Sequence, residues 1–455
     1  MGIENFPSQL QPIIQQGFLS RTFRKPLTSI LGYRKVAERR VFQNRVGQTI
    51  TDTKRGLKKP STTPIAATAN TGLDNGMTSS QWSVEQYTLG IDMYADTEDL
   101  NMVTQGVGLA AQFVQNAEVN ATQAAQSLDE IARNTLFYGS SSPLVTDTGG
   151  YLGGNTRVVA ALTADGLSLE VDDIRGFKNS VSQVLNSTGE GTVVAISSAN
   201  PASVSVNGVV YTCIGAVPDA TNVSTAPGGI SGTLTFSGTN VAEANGVLAA
   251  PVVISTAPVV LRPNGRTTTA ALQAGDTLTM SMILRAVATL RKNAVPTIDG
   301  MYNCYIEDDQ LLELFNDPQF QHLFRGAYNS TEFRQGQVFE LLGVRYIPTT
   351  EAPQQASLGA GPILRAIIVG GGALIEGDFE NTAYSDVPDA SRSLIEMIDG
   401  VAMVTRAPLD RLDQIISQSW YWIGGFALPT DVTSTGIIPT ATNSALKRAV
   451  ILESL

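Results

Sequence analysis

Apolar residues recur at Val103, Val107, Ala110, Val114, Ala117, Ala121, Ala124, Leu128 and Ile131, in alternating steps of four and three, and so line one face of a helix. This spacing predicts one long helix over residues 96–138. Asp96 is expected at its N-cap, Glu98 and Asp99 lie where the helix dipole favours negative charge, and Gly139 with the serines after it ends the helix. At 1.5 Å per residue such a spine runs roughly 60 Å and must connect distant parts of the molecule. Much of its stripe is alanine, which buries little area but admits a neighbouring backbone closely, so a flat partner such as a sheet is expected against it.

Before the spine the pattern is strand-like. Val46, Gln48 and Ile50 alternate, a Thr-, Ala- and Gly-rich tract follows to residue 80, and a second strand is predicted over residues 82–94. Two strands joined by such a tip form a protruding hairpin. On the second, Tyr87, Leu89, Ile91 and Met93 share one face and Trp82, Val84, Gln86 and Thr88 the other, so both faces are partly apolar. Residues 1–60 are punctuated by Pro7, Pro12, Pro26 and Pro60 and read as an extended arm with short helical pieces, too poor in apolar surface to fold alone.

After the spine, residues 151–162 predict a short strand pair, and Ile174, Phe177, Val181 and Leu185 predict a helix over 171–185. Valine, threonine and serine runs at 192–196, 203–214, 233–236 and 252–260 are then separated by Asn207-Gly208, Pro227-Gly228-Gly229, Asn245-Gly246 and Asn264-Gly265, which are turn signals at strand spacing. Residues 191–267 therefore read as a small all-β module inserted between two helices. Beyond it come a helix at 277–291, a strand at 302–306, a helix at 309–315, an aromatic segment at 320–324, a strand pair at 336–348, a buried strand at 363–369 and a last long hairpin, 397–406 with 415–426. The order is mixed rather than regularly βαβ, and the class is α+β.

Charge sharpens this picture. Between residues 21 and 59 twelve basic residues stand against Glu38 and Asp52, a net +10, so the remainder carries −21 of a chain total of −11. A basic arm on an acidic body has two candidate partners: nucleic-acid phosphates, or the acidic body of a neighbouring copy. Phe23, Leu27, Ile30, Leu31, Tyr33, Val36 and Phe42, interspersed among the basic residues of the arm, favour the second, a clamp in a protein groove. From residue 179 to residue 261 there is no Lys or Arg at all. Cys213 and Cys304 form no spaced cluster, which fits a reducing compartment, and neither a secretory signal nor a bilayer-spanning run is evident, so a soluble chain made in the cytoplasm is expected.

Catalytic signals are weak. Gly106-Val-Gly-Leu-Ala-Ala111 matches a dinucleotide fingerprint, but it does not directly follow a strand, and the close packing of Gly106 and Gly108 accounts for it better. Gly370-Gly371-Gly372 lacks the lysine of a P-loop and reads as a turn. Glu307-Asp308-Asp309, at a strand–helix junction, is expected to cap the helix; the only histidine, His322, is expected to be packed among Phe320, Leu323 and Phe324. Trp420, Tyr421 and Trp422 are expected to be core or interface anchors. No metal or cofactor is expected. The alternative to a structural protein is a cytosolic enzyme with a β accessory domain, built on the acidic cluster at 307–309.

Three blocks carry a resemblance. They are Tyr302-Asn-Cys-Tyr-Ile-Glu-Asp-Asp309, Gly336-Gln-Val-Phe-Glu-Leu-Leu-Gly-Val-Arg-Tyr-Ile-Pro-Thr-Thr-Glu-Ala352 and Ala407-Pro-Leu-Asp-Arg-Leu-Asp-Gln-Ile-Ile-Ser-Gln-Ser-Trp420. The chain resembles, in these blocks and in the order of its parts, the major capsid proteins of tailed double-stranded DNA bacteriophages, the Hong Kong phage capsid fold. The resemblance implies a basic N-terminal arm at 1–45, an extended E-loop hairpin at 46–95, a P-domain with the spine helix at 96–165, and an A-domain at 166–190 and 268–395. The inserted β domain at 191–267 interrupts the A-domain, and residues 396–455 return through the P-domain. It implies a homo-oligomer of hexamers and pentamers closing an icosahedral shell in the virion around packaged double-stranded DNA, with scaffold, portal and decoration proteins as further partners and no membrane. Inter-subunit contacts are expected at Arg34, Lys35, Arg39, Arg40, Trp82 and Tyr87. The chain departs from the family blocks in carrying Glu307-Asp308 where a His-Pro pair is common.

Overall fold

The computed structural model describes residues 32–42, 49–55, 60–62, 84–101, 109–139, 149–181, 190–191, 193–325, 340–355, 361–379, 395–398, 400–406, 415–431 and 440–455. Elements are numbered in chain order. The chain forms two compact units, residues 1–50, 88–133 and 375–427 in the first and residues 51–87, 134–374 and 428–455 in the second.

The first unit is built on β22 (Ile415–Ala427), thirteen residues in which Gln418, Trp420, Trp422 and Gly424 turn inward with the period of a strand. One edge of β22 pairs antiparallel with β4 (Asp92–Asn101) over its whole length. Its other edge pairs with β21 (Val401–Arg406) and then β19 (Ile375–Phe379). Gly400, at φ 83°, turns β20 (Ile395–Ile398) into β21, while β1 (Glu38–Phe42) runs parallel to β19 on the outside. Gly425 is forced by a close approach: a Cβ there would sit 1.9 Å from the Gly90 carbonyl oxygen.

Against this sheet lies α1 (Leu109–Tyr138), whose Ala117, Ala121, Ala124, Ala125 and Leu128 pack on Ile398, Val401, Met403, Trp420 and Trp422. The alanine stripe therefore meets a sheet, as expected, and the small side chains leave room for two tryptophans. Trp422 stacks between Tyr94 and Phe426, with ring centroids 5.8 and 5.4 Å away. The helix is shorter than its predicted span. Residues 96–101 belong to β4, and Asp96 is a strand residue that accepts a hydrogen bond from Gln123 of α1 instead of capping it. Ten ladder pairings with β22 outweigh the local helical signal of Asp96, Glu98 and Asp99.

In the second unit a mixed sheet runs β14 (Val260–Leu261), β23 (Ala449–Ser454), β18 (Leu364–Val369), β15 (Tyr302–Glu307), β17 (Val344–Thr349), β16 (Glu340–Leu341). Strands β15, β18 and β23 are buried at every position, the mark of a sheet covered on both faces. α2 (Met280–Lys292) contributes Met280, Met282, Ile283, Ala286, Val287 and Leu290 to that core; α3 (Asp308–Asn316) adds Leu314, and α4 (Pro318–Arg325) adds Phe320.

The β module is a six-stranded antiparallel sheet of order β5 (Asn155–Arg157), β13 (Pro251–Ile254), β10 (Ala202–Val206), β11 (Val209–Pro218), β12 (Gly232–Ser237), β6 (Ser168–Val171). Asn207 (φ 49°) and Gly208 (φ 85°) form the predicted β10–β11 turn. The sheet recruits β5 and β6 from before residue 191, and the helix predicted over 171–185 is absent from the described residues there. After β6 the chain loops, with Ile174 and Phe177 buried in the module's core, and continues as β7 (Asn179–Val181), paired with β9 (Val193–Ala195). Gly176, at φ 83° and with no room for a Cβ beside the Gly154 nitrogen, breaks the helical pattern that Ile174, Phe177 and Val181 imitate. β2 (Thr49–Arg55), β3 (Val84–Gly90) and β8 (Glu190–Gly191) make a small separate sheet.

Candidate functional site

The basic segment enters the first unit through a 3-10 turn, Tyr33–Val36, in which Tyr33, Arg34 and Val36 are buried. Asp129 of α1 accepts the backbone N–H groups of Gly32 (2.8 Å) and Arg34 (3.1 Å) on one carboxylate oxygen. The Arg34 guanidinium grips Glu376 of β19, Nε at 3.0 and 3.1 Å and Nη2 at 2.6 Å, and lies 5.9 Å over the Trp422 ring. A bidentate, charge-assisted pair of this kind is strong and geometrically specific. Arg34, one of the expected inter-subunit contacts, is thus engaged inside its own chain. Lys35, Arg39 and Arg40 are exposed; Arg39 approaches Glu376 at 3.7 Å, and Arg40 pairs with Glu38 at 3.2 Å.

Tyr87 is buried on β3 with Leu89 and donates its hydroxyl to Asp52 at 2.7 Å. Trp82 lies outside the described residues, as do Gly106 and Gly108.

At the acidic junction Asp308 and Asp309 occupy the first turn of α3, where the dipole favours them, but Glu307 makes no side-chain cap. Its carboxylate is turned to Gln354 instead. Burial pushes Glu307 up, and Asp309, Asp308 and Glu313 add to this against the hydrogen bond from Gln354. His322 is exposed, contrary to expectation: Phe320 turns inward edge-to-face on Phe315, and a residue two positions on points to the far side of α4. Gly370 begins the turn after β18, donating to the Arg448 carbonyl. Trp420 and Trp422 are core, Cys213 and Cys304 are free and buried, and among the described residues no group of three or more His, Cys, Asp and Glu is placed to hold a metal ion.

A polar seam in the second unit escaped the sequence reading. Arg365 of β18 and Glu453 of β23 are direct cross-strand partners, with Nε 3.0 Å from the carboxylate. Arg262 reaches the other oxygen at 2.7 Å, and Thr269 donates to it at 3.0 Å. Burial alone would raise Glu453, yet Arg262 and Arg365 override it and hold it at about 2. From Arg365 the seam continues through Gln355 to Thr225, which donates to Asp172 at 2.6 Å, and Arg175 grips Asp173 at 2.7 Å. One charge inside each of two apolar strands, Leu364–Val369 and Ala449–Ser454, was the signal available.

No protein family model matches the sequence, and no curated protein does. Among solved structures the chain is similar to the capsid of Ralstonia phage GP4, with 12% identity, 92% of this chain and 87% of that chain covered, and a TM-score of 0.47. It is similar to the cyanophage Pam1 capsid asymmetric unit at 12% identity, covering 95% and 92%, TM-score 0.44, and to the capsid of cyanophage P-SCSP1u at 10%, covering 92% and 86%, TM-score 0.44. All three are phage capsids.

Proposed function

We propose that the chain is the major capsid protein of a tailed double-stranded DNA phage, a structural protein that assembles through hexamers and pentamers into the icosahedral shell of the virion. The observation that carries this reading is the alanine face of α1 laid along the sheet of β22, a helix of thirty residues or about 45 Å in the position the capsid-like blocks imply for a spine. Tyr302–Glu307 of the first block is strand β15, and residues 415–420 of the block ending at Trp420 lie in β22, residues 407–414 being outside the described residues. The enzyme alternative gains nothing from the acidic junction, where Asp308 and Asp309 serve the α3 dipole and Glu307 faces Gln354.

Lys35, Arg39 and Arg40 contact a neighbouring copy in this reading, with packaged DNA as a non-specific partner on the inner face, and Trp82 anchors the hairpin between subunits, whereas Tyr87, buried and bonded to Asp52, is engaged inside its own chain. Trp82→Ala then impairs assembly while leaving the monomer folded, because aromatic anchors of this kind each cost about 2 kcal/mol or more on truncation. Sedimentation velocity of the purified chain under assembly conditions tests the reading: a fast boundary of shell mass supports it, and a monomer under every condition contradicts it.

A further inference from the structure

The seam borders a cleft in the second unit, between β5 and the residues after β6 on the module side and β14, β18 and β23 on the side of the core sheet. Four guanidinium groups line it, those of Arg157, Arg175, Arg262 and Arg365, against three carboxylates, Asp172, Asp173 and Glu453. One positive charge is left over. The carboxylates are already committed: both Glu453 oxygens accept from arginines, both Asp172 oxygens from Thr225, and both Asp173 oxygens from Arg175. Three arginine nitrogens are nevertheless shut off from solvent without a hydrogen-bond partner: Arg157 Nε, Arg175 Nη1 and Arg365 Nη1. Arg175 and Arg365 are 1% and 2% exposed, and Arg157 Nε, 3.4 Å from Asp172, makes an ion pair but no hydrogen bond.

A buried guanidinium N–H left unpaired is costly, and an uncompensated buried charge more so. The unspent groups are donors only, so whatever completes them must accept hydrogen bonds, and the surplus charge requires it to be negative. One unpaired nitrogen on each of three separate guanidinium groups suits an acceptor that carries several oxygens on one centre. We infer that this cleft binds a small inorganic oxyanion of the phosphate class, held by Arg157, Arg175 and Arg365, which ties the β module to the core sheet. This inference is independent of the capsid reading, since it rests on the second unit alone.

The test uses the full chain, dialysed free of phosphate and sulfate at neutral pH. Its thermal unfolding midpoint is followed against sodium phosphate, with sodium chloride and sodium acetate at matched ionic strength. Two variants accompany it. Arg157→Gln removes the surplus charge at the most solvent-exposed of the four arginines, and Gln355→Glu places a carboxylate beside Arg365. The expected result is a saturable rise of the midpoint with phosphate that chloride and acetate do not reproduce, and an apparent phosphate affinity at least about tenfold weaker in both variants. Because Gln355→Glu keeps the acceptor for Arg365, giving up only the hydrogen bond donated to Thr225, and adds a negative charge that opposes an anion, it gives a reading even where Arg157→Gln unfolds. A rise no larger with phosphate than with chloride or acetate, or one undiminished in Gln355→Glu, overturns the inference.

Discussion

Arg34 and Glu376 stand 342 residues apart in sequence, yet Nη2 of one lies 2.6 Å from Oε1 of the other, and the two side chains are 1% and 0% exposed. The pair ties the basic segment to the sheet that carries the spine helix. Removing one partner leaves a buried charge, so Arg34→Ala is expected to cost about 3–5 kcal/mol, whereas Arg34→Met with Glu376→Leu recovers most of that loss. Urea unfolding of the single and double variants checks both expectations, and a single-variant loss below about 1 kcal/mol contradicts the pairing as a structural anchor.

The alanines of α1 are sized for their site. Ala124 has no exposed surface and packs in the cluster that holds Trp420 and Trp422. Ala124→Leu forces the helix off the sheet at a cost of about 1–3 kcal/mol, while Val119→Ala, on the exposed face, stays within about 0.5 kcal/mol of the parent. Equal effects in denaturant titration would place the stripe elsewhere.

Glu453 predicts an acid limb. Its carboxyl is held at about 2 in the folded chain against an ordinary value of 4.5. The stability it contributes, about 3 kcal/mol, is fully present above pH ~4.5 and is lost as the pH falls from there toward 2. Glu453→Gln is therefore less stable than the parent at pH 7, and the gap narrows on acidification to pH 3. A gap of constant size, read from urea midpoints at pH 7, 4.5 and 3, contradicts the linkage.

How much of this was legible follows from where the signals were local. Asn207-Gly208 announced the β10–β11 turn because its two positive φ angles demand those residues, and the steps of four and three from Ala117 to Leu128 announced the packed face of α1. The start of that helix was misread because residues 96–101 carry acids that suit an N-terminus, and only pairing with β22, more than 300 residues away, makes them a strand. The spacing of Ile174, Phe177 and Val181 fits a helix face, but the same residues fill a β core around a glycine at φ 83°. The partners of Arg34, namely Asp129 and Glu376, carry no sequence signal for this pairing: one of several acids on a helix and another in a strand acquire meaning only when three distant segments meet.

The basic segment separates two partners. Lys35, Arg39 and Arg40 are exposed, so their joint change to Ala, with Arg34 kept, leaves the fold within about 1 kcal/mol of the parent. If these residues clamp the acidic surface of a neighbouring copy, the triple variant fails to form empty shells without nucleic acid. Normal empty shells, with only the steepness of the salt dependence of DNA binding reduced, would assign them to phosphate contact instead.

A major capsid protein, as proposed, builds a closed shell. Negative-stain electron microscopy of the expressed, purified protein reads that out directly: icosahedral or closed spherical particles of uniform diameter, assembled from rings of five and six subunits, are expected. A field of monomers or small irregular oligomers across salt, pH and protein concentration, from protein whose unfolding transition is intact, would contradict it.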